Sequence, residues 1–218
     1  ELGEKEPEPL DWQQELMIKQ MKEAMAANPD GIAIMGHPGE GAFNRLVKEA
    51  VNRGIVVTTG NTPLPGIQSQ YGGMGFGYAG VVLYEGGKIT AQEMIAKGGL
   101  KKGDKVLVYG LLSQGPRGES TRGMKDTLEA AGMKTDYIEI SNEVNRDFTL
   151  CAPIITAYMA KHPDLKAIGT QHGGITATLP RVLKNAGKKP GEITIGGIDL
   201  APATITGLEE GYITAALD

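Results

Sequence analysis

Residues 105–132 read KVLVYGLLSQGPRGESTRGMKDTLEAAG. Val106, Leu107, Val108, Tyr109, Leu111 and Leu112 form a short, nearly continuous apolar run. That pattern suits a strand buried on both faces, as in a parallel sheet covered by helices. SQGPRGES follows as a Gly/Pro/Ser loop. TRGMKDTLEAAG then reads as a helix with Met124, Leu128 and Ala131 on one side and Gly132 as its C-cap. A strand, a polar loop and a returning helix make half of a βαβ unit. Its loop lies at the carboxyl end of the strand, where open α/β sheets bind ligands.

The same layout recurs upstream. Residues 1–12, ELGEKEPEPLDW, read as an irregular lead-in, and residues 13–27 as a helix with Met17, Met21 and Met25 stacked at i, i+4 spacing. A Met stripe of this kind is core packing. GIAIM (31–35) is a strand, and Phe43, Leu46, Val47, Ala50 and Val51 trace an amphipathic helix ended by Gly54. IVVTT (55–59) is a second strand and GNTPLPG the loop after it. A Gly-rich stretch over 66–77 leads to a helix expected from about Tyr78 to Ala96, with Gly86-Gly87 as its weak point.

Downstream, the polar turn LKKGDK marks a candidate domain junction. After the 105–132 unit come a strand near DYIEI (136–140) and a helix presenting Cys151, Ile154, Ile155, Tyr158 and Met159. A strand at 166–170 and a helix at 175–186, strained by Pro180, follow. EITIGGI (192–198) is a strand, APATITGLEEG a short helix and YITAALD a terminal strand. The alternation predicts an α/β chain with two parallel sheets flanked by helices, divided into blocks 1–100 and 101–218.

Composition narrows the function classes. A net charge of −4 over 218 residues gives no support to nucleic-acid binding. Cys151 is the only cysteine, so neither an internal disulfide nor a Cys-based metal cluster arises within the chain. No apolar run approaches the ~20 residues of a membrane span. His37, His162 and His172 are too dispersed for a zinc site. GHPGEG and GGMGFG lack the Lys-Ser/Thr of a phosphate loop. No nucleophile–base–acid set emerges and no cofactor is called for, so the chain reads as a binder and not an enzyme.

Polar groups do follow almost every strand. His37 follows GIAIM, Asn61 follows IVVTT, Ser113 and Gln114 follow VLVYGLL, His172 follows AIGTQ and Asp199 follows ITIGGI. Arg117 and Arg122 lie nearby. One carboxylate, amides, imidazoles and guanidinium groups can together satisfy several hydroxyls. The expected ligand is small and polyhydroxylated. Each residue also has a structural reading. Asp199 could cap the helix after Ala201, and Asn61 could be a turn residue. His37 and His172 could be satisfied loop histidines. Arg122 is unusual as a cation in the first turn of a helix, where the dipole disfavours it.

The chain resembles the periplasmic sugar-binding proteins of ABC transporters, of the ribose- and galactose-binding type. The matching stretches are NPDGIAI (28–34) with His37-Pro38, NRGIVVTT (52–59) with Asn61, the Arg122-Gly123 pair and HPDLKAIGTQH (162–172). VLKNAGKKPGEITIGGIDLAP (182–202) and ITGLEEGYITAAL (205–217) complete the set. The resemblance implies two Rossmann-like lobes joined by a hinge, an N-terminal lobe lacking its opening β-α unit, and missing closing segments. It implies a sugar or polyol captured in a cleft by hinge closure and delivered to a membrane permease, in the periplasm or at a lipid anchor outside the cell. Arg122 and Asp199 match the family's sugar-binding arginine and aspartate. His172 falls where the family often has Asn or Asp, Asn61 where it often has Asp, and His37 near a polar position. The rival reading is the effector domain of a LacI-type regulator, whose chain runs on to a Pro-Leu-Thr-Thr stretch instead of the ending seen here. An incomplete first lobe also predicts exposed apolar surface and weak sugar binding by the 218 residues alone.

Overall fold

The computed structural model describes residues 12–218, so the expected lead-in at residues 1–11 lies outside them. Two compact units emerge, Glu1–Val81 with Gly115–Arg117, and Val82–Gln114 with Gly118–Asp218.

The first unit runs α1 (Trp12–Ala26), β1 (Gly31–Met35), α2 (Gly39–Asn52), β2 (Val56–Gly60), α3 (Pro65–Tyr71) and β3 (Phe76–Ala79). Its strands pair parallel in the order β1-β2-β3. Met21 and Met25 are buried, as the stripe predicts, with Phe43, Val47, Ala50, Val57, Leu64 and Ile67. Period-2 alternation puts Ile32 and Val57 into that core. The next positions face the other way, so Met35 stays 43% and Val56 52% exposed.

Two elements here differ from the sequence reading. The segment read as a loop and Gly-rich stretch contains α3, started by Pro65 at its first turn, where the missing N–H is harmless. The helix expected from Tyr78 begins only at Leu83, because Phe76–Ala79 pairs with β2 as a third strand.

The second unit runs α4 (Leu83–Gly98), β4 (Lys105–Gly110), α5 (Glu119–Ala130), β5 (Lys134–Glu139), α6 (Asn142–Arg146), α7 (Cys151–Lys161), β6 (Leu165–Thr170), α8 (Gly173–Asn185), β7 (Thr194–Ile198), α9 (Pro202–Glu209) and β8 (Ala215–Leu217). Its five strands are all parallel, in the order β5-β4-β6-β7-β8. The continuous apolar run of β4 is explained by two cores. Leu107 and Tyr109 face Ile155, Ile175 and Leu179 on one side. Val106 and Val108 face Ala91, Met94, Met124 and Leu128 on the other. Met124 and Leu128 are buried as expected, whereas Ala131 lies past the end of α5 and is exposed. Gly132 takes the left-handed conformation that stops the helix, at φ 83°.

The division falls between Val81 and Val82 and not near residue 100. The reason is α4, which packs on α5, β7 and β8. A Cβ on Gly98 would lie 2.9 Å from the Thr194 Cβ of β7, so that end of α4 rests directly on the sheet.

Candidate functional site

The strand order of the second unit fixes where a ligand can sit. From β4 the chain passes to β5 on one side, then to β6 on the other. The loops leaving β4 and β6 therefore run in opposite directions and open a crevice at their carboxyl ends.

His172 and Asp199 meet at that end of the sheet. His172 is the N-cap of α8, and its Nδ1 accepts from the Ile175 backbone N–H at 3.4 Å. Its Nε2 lies 3.1 Å from Asn145 Oδ1. An accepting Nδ1 leaves the proton on Nε2, which then donates to Asn145. Both ring nitrogens are engaged, so His172 orders its surroundings. His172→Ala should cost about 1 kcal/mol of stability, the usual scale for losing an N-cap, measured by urea unfolding.

Asp199 does not cap α9. That helix has Ala201 as N-cap and no side-chain cap. Instead the Asp199 backbone is held at φ 67°, a left-handed conformation uncommon outside glycine, with its N–H donating to Leu217 O at 2.8 Å. Its carboxylate lies over the start of α8: a Cβ on Gly173 would collide with Oδ2 and come within 2.7 Å of Cγ. Desolvation, and secondly the Asp218 carboxylate, hold its pKa above the ordinary aspartate value. Beside this pair, Phe148 covers Gly174 so closely that a Cβ there would collide with ring atom Cδ1 and lie 2.6 Å from Cγ, yet 41% of Phe148 remains exposed. Sequence reasoning passed over Phe148. The available signal was a lone aromatic in the polar run NRDFT.

Arg122 is exposed on α5, its Nε 3.1 Å from Glu119 Oε1. Glu119 in the first turn offsets the dipole penalty that made this arginine look unusual. Ser113 is tied by its hydroxyl to Glu139 at 2.6 Å. Gln114 donates its backbone N–H to Leu111 O at 3.0 Å.

In the first unit the structure joins the two expected residues: His37 Nε2 lies 2.9 Å from Asn61 Oδ1. The loops carrying them touch, since a Cβ on Gly36 would lie 3.0 Å from the Thr62 carbonyl carbon. Asn61 adopts φ 62°. Tyr78, hidden in the missed strand, donates to Val81 O at 2.9 Å and contacts Asn61 O at 3.4 Å. Among the described residues no group of three His, Cys, Asp or Glu side chains is placed to hold a metal. No described helix is long and apolar enough to cross a membrane.

The chain and its fold have known counterparts. Residues 3–218 match the periplasmic binding protein domain family, and the chain belongs to it. It is 27% identical over 214 residues to the xylose/arabinose-binding protein XylF of Sulfolobus acidocaldarius, covering 93% of this chain and 50% of that one. It is 27% identical over 175 residues to a D-ribose/D-allose-binding protein of Pseudomonas aeruginosa, covering 79% of this chain and 53% of that one. The chain thus spans about half the length of these curated relatives. Its fold matches an ABC transporter solute-binding protein of Burkholderia graminis C4D1M, solved in complex with D-arabinose. The TM-score is 0.74 at 23% identity, covering 94% of this chain and 68% of that one.

Proposed function

We propose that this chain belongs to the solute-binding component of an ABC transporter, which captures a small sugar or polyol outside the cytoplasm and delivers it to a membrane permease. Asp199 is the observation that carries the reading. Its exposed carboxylate, on a left-handed backbone, accepts no hydrogen bond from any described residue and so keeps both oxygens for a ligand. Strain of this kind persists where function uses it. A carboxylate can accept from two adjacent hydroxyls at once, which is what a sugar offers.

The proposed ligand contacts of the second unit are Asp199, His172 and Arg122; those of the first unit, taken by itself, are Asn61 and His37. Phe148 adds an apolar ring against which the less polar face of a sugar can lie. The names of the relatives favour a pentose or a closely similar hexose over a larger saccharide. The periplasmic binding protein family and the sugar-binding relatives support a binder over an enzyme, and nothing in them favours the LacI-type reading.

A thermal-shift screen of the protein carrying these residues tests the reading. The panel is D-xylose, L-arabinose, D-ribose, D-galactose and a polyol. A bound sugar at a hundredfold excess over Kd should add about 2.7 kcal/mol of stability. In a chain of this size that raises the melting temperature by roughly 5–10 °C. A flat response across the panel, together with specific retention of DNA in a gel shift, would overturn it in favour of the regulator.

A further inference from the structure

The loop that leaves β4 is held by side chains of β5. The β4–β5 ladder runs in register to Gly110 and Glu139, and Ile140 N–H closes it on Gly110 O at 2.7 Å. Beyond that rung the backbone of β4 has no strand to pair with. Two side chains of β5 take over. Tyr137 Oη accepts from Leu112 N–H at 2.9 Å. The Glu139 carboxylate accepts from Ser113 Oγ at 2.6 Å and from Ser113 N–H at 3.4 Å. Tyr137 then donates its own hydroxyl proton to Glu139.

Every backbone donor of the loop start is thereby accounted for. Leu111 N–H goes to Thr121 Oγ1 at 3.2 Å, Leu112 to Tyr137, Ser113 to Glu139, and Gln114 to Leu111 O. Position gives the network its consequence. β5 is the edge strand on the side of β4 away from β6. The crevice opens on the β6 side. Drawing the loop toward β5 keeps it off the ends of β6 and β7, which His172 and Asp199 follow.

The geometry points to Tyr137 and Glu139 as positioning residues for ligand binding: they latch the loop after β4 away from the crevice and so hold the crevice open. Neither residue touches ligand in this scheme. The inference rests on the sugar-binding reading above, and its test separates the two.

Two readouts are taken on wild type, Glu139→Ala, Glu139→Gln and Tyr137→Phe. The first is amide hydrogen exchange. In Glu139→Ala the Leu112 and Ser113 amides should exchange about tenfold faster or more, while Val106–Val108 keep their protection. The second is sugar affinity by calorimetry, using whichever of D-ribose, D-xylose or L-arabinose the wild type binds most tightly. Glu139→Ala should weaken it at least tenfold, corresponding to about 1.4 kcal/mol. Glu139→Gln, which keeps an acceptor for Ser113, should recover most of that loss, and Tyr137→Phe should fall between. Unchanged exchange at Leu112 and Ser113 overturns the latch. Faster exchange with unchanged affinity overturns its role in binding. A wild type that binds none of the three sugars overturns the sugar reading and the binding role with it, whatever the exchange data show.

Discussion

Replacing Gly87 by alanine is expected to destabilise the protein by about 3 kcal/mol, at the upper end of the usual range for overpacking. A Cβ at Gly87 would run into the Ser120 carbonyl oxygen and lie 2.7 Å from the Ser120 carbonyl carbon and 2.9 Å from Met124 N. All three are backbone atoms of α5, so no side chain can swing aside. The contact is reciprocal: a Cβ at Gly123 of α5 would strike the Tyr84 carbonyl oxygen of α4. The two helices cross backbone to backbone. Parting them would also lift Met94 and Met124, both fully buried, off Gly169 and Gly196 of the sheet.

The sign of this effect decides between two readings of the same glycine. As a mere weak point in a helix, Gly87→Ala should stabilise by about 0.5–1 kcal/mol through helix propensity. As a packing device it should lower the melting temperature by roughly 6–12 °C, at the 2–4 °C per kcal/mol typical of chains this long. Gly86 is the internal control. A Cβ there meets only Leu217 Cδ2, at 3.2 Å, the far end of a flexible side chain. Gly86→Ala should therefore change stability by less than about 1 kcal/mol. Urea or thermal unfolding of the two variants gives the answer, and equal behaviour of both would remove the crossing from the account.

Gly87 also shows where the sequence ceases to be legible. Spacing alone revealed α2, because five apolar residues follow one helical face. It revealed β4, because a run buried on both sides leaves no polar position to confuse the period. It could not show α3, whose seven residues PGIQSQY carry a single buried side chain, Ile67. Nor could it show β3, where Gly77 and the half-buried Tyr78 offer neither alternation nor β-branching. The boundary at Val82 was hidden for a related reason. What assigns α4 to the second unit is the absence of side chains at Gly87 and Gly98, and an absence leaves no hydrophobic signature.

The site divides along the same line. That His37, Asn61, His172 and Asp199 would stand at strand ends followed from the βα alternation, since a loop after a parallel strand has only one end of the sheet to occupy. Their partners did not follow. Asn145 reaches His172 across 27 positions, and Tyr137 and Glu139 reach the β4 loop across about 25. The second pairing depends on the register of β5 against β4, and the first on where α6 packs against the start of α8, neither of which pattern alone sets. Arg122 drew attention as a cation at a helix start, and the glutamate three positions earlier that neutralises it was overlooked.

Asp199→Gly is expected to separate binding from folding. In a charged carboxylate each hydrogen bond to a ligand hydroxyl is worth about 1.5–3 kcal/mol. Losing two should weaken sugar binding by at least 3 kcal/mol, roughly a hundredfold or more in Kd. Stability should hardly move. Glycine adopts φ 67° without strain, which relieves the left-handed backbone, while its freer unfolded chain takes back about 0.5–1 kcal/mol. Asp199→Asn tolerates the same backbone and keeps one acceptor, so it should lose only about 1.5 kcal/mol of binding, near tenfold. A protein in which Asp199 merely supports the turn would show the reverse: affinity retained and stability altered.

Acid adds an independent check on the same group. The Asp199 pKa is raised in the folded protein, first by desolvation and then by Asp218. Its folded form thus takes up a proton more readily than its unfolded form. The stability linked to that proton is fully present below the unfolded pKa and is lost as pH rises through the folded one. Ligand affinity should run the other way, because a protonated carboxyl can no longer accept from two hydroxyls. On lowering the pH through the region just above the ordinary aspartate range, sugar affinity should fall while the contribution of Asp199 to ligand-free stability improves. Calorimetric titrations across that range, compared with Asp199→Asn, should show the acid loss in wild type only. The same loss in the asparagine variant would assign the titration to another group and take Asp199 out of the site.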